Sequence, residues 1–391
     1  MCCSDKKFGC KASYADTFIF SVLVLAILNI SISAGILVNI TSLLYSVMLR
    51  ITFIISIIIW MVTIREDILN MLVAVMIIWQ LIIVLIYEAV SFDSFYHICT
   101  WPCVFASSYS LARRGKIKQN VVAYIIITLI VSTLLVYNYR NGSKNDIYYV
   151  YYSLLLLPFI LETKKKALKI FLEIWIASII VYSYKRTGMV LLVIGITTYY
   201  LTDMLETKGK KERVKKIAII ILASILVCYT ISNYASDWVV FRRFQRLSQD
   251  GGSGRIELWN ACIQYIQTEP MINLVIGNGY KGVDKIIPKY AGAHNDFLEI
   301  IIDYGIIGVI NLLLFLIYVC KKILLAFKIR YKKIAPLISE ASMCMALSFS
   351  SFLLWQSFLS TIAALYIGYK IGDIQKTYES YIENKGITSE M

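Results

Sequence analysis

Apolar runs of roughly 15 to 23 residues recur along nearly all of this 391-residue chain, and about 20 apolar residues are what one helix needs to cross a bilayer's hydrocarbon core. A soluble domain cannot hide so many runs. Charged residues make up only 16% of the chain and hydrophobic ones 59%, whereas soluble domains carry about 25% charged residues. The expected fold is all-α: a single polytopic integral membrane domain over residues 1–391. Twelve spans are expected, at 17–37, 41–63, 69–90, 96–112, 120–138, 147–161, 170–184, 188–205, 217–234, 295–319, 336–352 and 357–371. One long external loop, 235–293, precedes the tenth.

The net charge of +14 does not mark a nucleic-acid binder, because the basic residues fall in alternate loops and form no single patch. With the N-terminus in the cytoplasm, the clusters Lys6–Lys11, Arg113–Lys118, Lys164–Lys169, Lys208–Lys216 and Lys321–Lys333 all lie inside. This is the positive-inside pattern of a multi-pass protein with both termini cytoplasmic. The opening Met1-Cys2-Cys3-Ser4-Asp5-Lys6-Lys7 has neither the apolar core nor the cleavage site of a signal peptide, so the first span is expected to be an uncleaved anchor. Most of the nine cysteines lie in or beside spans or singly in a loop. Cys99 and Cys103 are one helical turn apart, a spacing that suits helix packing and not a disulfide framework.

A long ordered loop is usually functional, and 235–293 holds Arg242, Arg243, Arg246, Arg255, Lys281, Lys285 and Lys289 against Asp237, Asp250, Glu257, Glu269 and Asp284. Positive charge on the outer side runs against the topology rule, and an anionic ligand is the simplest reason for it. After the break Gln249–Gly254, residues 255–266 repeat apolar positions at three and four spacings, as an amphipathic helix that lies on the membrane or roofs the bundle. Arg255 falls in its first turn, where a cation is disfavoured unless an anion comes close; a solvated arginine is the plainer alternative. The short turn Tyr184-Lys185-Arg186-Thr187-Gly188 is a second external cationic point. Snorkelling accounts for Lys185, while the small Gly188 after Arg186 leaves room for a bulky ligand.

His294, one of two histidines, falls where that loop meets a span, placing a group that titrates near neutral pH between water and lipid. Asp296 and Glu299 have capping-box spacing, with Asp296 as the expected N-cap. The positive end of that helix favours neutral imidazole, as a base requires. At 100° per residue, Asp296, Glu299 and Asp303 share one face roughly opposite His294 and are poorly placed to orient it. Arg50, inside the second span, is expected to snorkel, to pair with Glu88 or Glu173, or to have a function of its own. Tyr148, Tyr149, Tyr151, Tyr152, Tyr182 and Tyr184 read as an aromatic belt or, alternatively, as sugar-stacking surfaces. His97 has no basic neighbours in the sequence.

Taken in order, Arg186-Thr187-Gly188, Gly254-Arg255 with Trp259, Pro270 before Gly277-Asn278-Gly279, and His294-Asn295 with Leu298 and Gly305-Ile306-Ile307-Gly308 resemble the O-antigen ligase and polymerase superfamily over residues 183–310. Asp303 stands where that family usually has glutamate. The resemblance implies a bacterial cytoplasmic-membrane enzyme acting externally on polyprenyl-diphosphate-linked oligosaccharide donor and acceptor, with no cofactor and no metal. It implies His294 as the catalytic base, Arg186 and Arg255 on the diphosphate, and Arg242, Arg243, Arg246, Lys281, Asn295 and Tyr280 in secondary roles. The implied partners are the lipid bilayer, a flippase and a chain-length regulator, with no nucleic acid. The expected activity is inverting polymerisation of repeat units into capsular, exopolysaccharide or O-antigen polymer. A ligase moving finished glycan onto a lipid or protein acceptor shares the donor chemistry. A lipid-linked sugar transporter would instead need charges deep along a pathway.

Overall fold

The computed structural model describes residues 14–64, 67–87, 92–115, 121–142, 147–207, 209–214, 216–218, 254–288, 292–354 and 357–384, which form helices and turns with no strand. In chain order the helices are α1 (Tyr14–Ser33), α2 (Val38–Thr63), α3 (Ile68–Tyr87), α4 (Phe92–Arg113), α5 (Val122–Arg140), α6 (Tyr151–Leu155), α7 (Leu157–Leu161), α8 (Lys166–Ser183), α9 (Arg186–Glu206), α10 (Arg255–Thr268), α11 (Met271–Ile276), α12 (Gly282–Ile286), α13 (Asp296–Lys328), α14 (Ala335–Ser350) and α15 (Ser357–Asn384). Among the described residues α2, α3, α5, α9 and α13 are each long and apolar enough to cross a membrane. The chain is an all-α polytopic membrane protein. Nearly all of the expected span 217–234, together with Arg242, Arg243, Arg246 and Lys289, lies outside the described residues.

The expected span 147–161 is not one helix. It is a 3₁₀ turn at Ile147–Val150 followed by two five-residue helices, α6 and α7. Pro158 in the first turn of α7 has no amide hydrogen to continue the ladder. Residues from Val150 to Leu161 are all buried, so this stretch is interior wall and not lipid-facing helix. That also corrects the belt reading for Tyr151 and Tyr152: both are buried, and the Tyr152 hydroxyl accepts from Asn29 Nδ2 at 2.8 Å.

Small residues set a close helix contact between α4 and α15. A Cβ on Gly368 would meet Phe105 O at 2.4 Å, and one on Gly372 would meet Tyr109 O at 2.2 Å. Glycines four apart thus let the two backbones touch, the usual device where lipid offers no hydrophobic drive. At the end of the bundle away from His294, Asp67 accepts from Tyr318 at 2.9 Å and from Tyr109, and Arg113 bridges Asp67 to Glu379. Nearby, the buried Lys370 and Glu162 form an ion pair. Among the described cysteines, Cys99, Cys103, Cys262 and Cys344 are buried and free, as packing residues would be.

Candidate functional site

Two glycines let the loop dock on its span. Inside α13, Gly305 has φ 66° and ψ −171°, a break that a side chain would strain. A Cβ there would meet Val275 O at 2.3 Å, and one on Gly277 (φ 92°) would meet Asp303 O at 2.3 Å. The two backbones therefore cross with no room for a methyl group. The break frees carbonyls that the helix would otherwise use, and other elements take them up. Asn278 N donates to Ile302 O at 2.8 Å, Gly279 N to Asp303 O at 3.0 Å and Trp79 Nε1 to Tyr304 O at 3.0 Å. Asn278 is held in turn by Tyr265, Asn273 and Glu269.

The short piece 296–304 above the break is an anchoring post. Asn295, and not Asp296 as the spacing predicts, is the N-cap: its Oδ1 accepts from Phe297 N at 3.0 Å and Leu298 N at 3.2 Å. Asp296 stands one residue inside and turns to the far side, accepting from Leu353 N and Leu354 N at 3.0 Å each. A neighbouring segment with two free amides outcompeted the local cap. Glu299 reaches back to Ala293 N at 2.6 Å, and Asp303 accepts from Gly282 N at 2.8 Å and Lys281 N at 3.2 Å. All three acids are buried and bound to backbone, so none orients His294, in line with the helical phase. Lys281 serves through its backbone at φ 57°. Its ammonium lies 5.2 Å from the ring of Tyr280, a buried residue that lines the hollow beside these acids.

His294 itself has φ 52°, and its ring is fixed by stacking. The Phe352 ring lies 4.3 Å away at 29°, and the Tyr148 ring lies 6.4 Å away at 13°. The Nδ1 atom is buried without a hydrogen-bond partner. Burial first, then Arg255 and then Lys185 hold the imidazole down at about 4 from its usual 6.5. A cation near an imidazole disfavours the imidazolium. His294 is therefore neutral at physiological pH and able to accept a proton.

Two helices begin beside it. Arg255 is the first residue of α10 and Arg186 the first of α9, so each cation sits at a positive dipole end, a place that suits anions. Arg255 Nη1 donates to Ser350 O and lies 3.5 Å from Thr187 Oγ1, so α10 roofs the start of α9. Its apolar side, Leu258 and Cys262, packs on Val283, Ala293 and Ile302, and Trp259 Nε1 donates to Ala293 O at 3.0 Å. The structure thus gathers Arg255, Thr187, Lys185 and His294, with Arg186 next in sequence.

Sequence reasoning missed three contributors. Lys185 Nζ lies 3.8 Å over the Tyr148 ring, so this lysine faces the histidine's own stacking partner and is no simple snorkelling residue. Arg140 sends Nε and Nη2 to Tyr182 O at 2.9 and 2.7 Å, with its Cζ 3.3 Å over the Tyr184 ring. It thereby clamps the left-handed C-cap of α8, from which Lys185 and Arg186 lead on. Only the local basic-aromatic composition of 182–186 hinted at such a clamp. Below the cap of α13, an apolar cavity of about 150 Å³ is lined by Phe297, Leu353, Phe315, Val319 and Ile323.

No curated protein matches the chain. The family model described as O-antigen ligase matches residues 171–313, the stretch that carries Lys185, Arg186, Arg255, His294 and the crossing glycines. Over that stretch, somewhat more than a third of its length, the chain is similar to the O-antigen ligase family.

Proposed function

We propose that this protein is a glycosyltransferase that polymerises polyprenyl-diphosphate-linked oligosaccharide repeat units on the external face of the bacterial cytoplasmic membrane. The observation that carries the reading is a neutral, depressed histidine beside Arg255 and Lys185 at the start of two helices. Guanidinium groups make forked bonds to oxyanions. Arg255 and Arg186 are assigned to the donor diphosphate, with Lys185 adding charge. His294 takes the proton of an acceptor sugar hydroxyl while that oxygen attacks the donor's anomeric carbon from the opposite side. The carbon–oxygen bond to the diphosphate breaks, its electron pair leaves with the polyprenyl diphosphate, and the anomeric configuration inverts. The cations offset the charge that grows on the leaving group, so no metal is needed in this scheme. The apolar cavity below the cap suits an isoprenoid tail.

A ligase would use the same donor chemistry with a different acceptor. The test is the glycan profile of a deletion strain complemented with wild type or His294→Ala. Single repeats that persist without polymer support the polymerase. Finished lipid-linked polymer that is never attached supports the ligase, and an unchanged profile removes both. With purified protein, polymer should form in the presence of a chelator, and His294→Ala should slow the chemical step by about 10²–10⁴-fold. Wild-type turnover by His294→Ala would refute the assignment of the base.

A further inference from the structure

Arg50 is a cation that the proposed reaction does not use. It is exposed, and none of the expected pairings exists among the described residues: Glu173 is held by Lys169 at 3.7 Å and by Tyr200 at 3.3 Å, and Glu88 lies outside them. Its helix, α2, has 26 residues, and only 17% of its most apolar window is buried. At 1.5 Å per residue, Arg50 is about 18 Å from Val38 and about 20 Å from Thr63. It therefore stands near the centre of a hydrocarbon layer about 30 Å thick.

The inner side of α2 is satisfied, with Thr52, Phe53 and Ser56 buried and Ser56 O accepting from Ser107 at 2.7 Å. The outer side is an open stripe: Leu43, Val47, Ile54, Ile58 and Met61 are all exposed. Asn39, Ser42 and Ser46 lie within about 80° of Arg50 around the helix, at 100° per residue. They form a polar line from the Val38 end down to the guanidinium. That end is level with the site, since Ala34 O accepts from Asn138 Nδ2 at 2.6 Å at the far end of α5.

We propose that this face of α2 docks a transmembrane helix of a different membrane protein, through an ion pair between Arg50 and a carboxylate at mid-span on that helix. A guanidinium bare in lipid would have to thin the bilayer or draw in water, and a carboxylate removes that need. Anionic lipid headgroups lie at the interface, too shallow to reach it. A second copy would bring Arg50 against Arg50 across a twofold axis. Among the described residues, Asp296, Glu299, Asp303 and Glu340 are buried and Glu173 is paired, so none of these is free to serve it.

The experiment reconstitutes the full chain in lipid vesicles and measures energy transfer to lysine-flanked polyleucine helices of about 23 residues. Three probes carry Glu, Gln or Leu at their centre. The Glu helix should associate about 5- to 30-fold more tightly than the Leu helix, the range of polar pairs between spanning helices. Arg50→Leu should erase that preference with an unchanged melting temperature, since no described residue bonds Arg50, and Arg50→Lys should keep part of it. If Arg50→Leu melts early, the isosteric and neutral Arg50→Gln must erase the preference instead. Equal association of the Glu and Leu helices, a preference that survives both neutral variants, or Arg50-dependent self-association at the same dilution would each overturn the proposal.

Discussion

His294 gives the most direct physical test, because its basicity is set by neighbours that can be changed one at a time. Burial, Arg255 and Lys185, in that order, hold it down at about 4 from 6.5. Arg255 is the second cause, so it accounts for less than half of that depression. Arg255→Gln removes the charge and keeps the length of the side chain. The His294 midpoint should then rise by up to about one pH unit and still stay well below 6.5, because burial remains. Since the chain has only two histidines, labelling imidazole Cε1 with ¹³C in nanodiscs gives two resonances, and His97→Gln assigns them. A diphosphate anion bound at Arg255 should raise the midpoint in wild type by the same electrostatic route, and should do so less in Arg255→Gln. In the pH–rate profile the acid limb of kcat/KM, which reports free enzyme, should accordingly lie near 4. The acid limb of kcat, which reports the complex, should lie higher. A wild-type midpoint near 6.5, or one that ignores Arg255→Gln, would refute the electrostatic account.

Two further outcomes follow from the geometry. Gly305→Ala must place a methyl group where Val275 O lies 2.3 Å away, at φ 66°, so it should cost on the order of 1–3 kcal/mol from backbone strain alone. The expected readouts are a lower melting temperature and faster proteolysis within 254–288; wild-type values for both would sink the docking argument. Arg140→Lys keeps a charge but cannot fork onto Tyr182 O or stack flat on Tyr184, so it should raise KM for the donor several-fold with kcat nearly unchanged. A fall in kcat that tracks the amount of folded protein, with KM unchanged, would make the clamp merely structural.

Much of the site was legible because its residues obey local rules. Gly277, Gly279 and the later Gly305 are visible in the sequence as positions without side chains, and only the fold reveals that Gly277 and Gly305 face each other. The cap was read one residue too late. Asn295 and Asp296 are both good caps by themselves, and the choice was made by Leu353 and Leu354, whose amides drew Asp296 away. Lys185 looked like an ordinary helix-end lysine because its partner, Tyr148, belongs to a segment that reads as a span and is instead interior wall. Helix existence followed from apolar period and length. The break at 147–161 depended on burial, which a linear pattern does not carry.

The pattern of bonds around the cap also orders events during synthesis. Asp296 binds Leu353 and Leu354, Arg255 donates to Ser350 O, and Phe352 stacks on His294. Chains fold from the N-terminus as they emerge, so the arginines and the histidine are made and inserted well before the segment that fixes them. The site is completed only when the stretch after α14 arrives. A nascent chain truncated before Ser350 would hold every residue assigned to the chemistry and still lack the surface against which they are set.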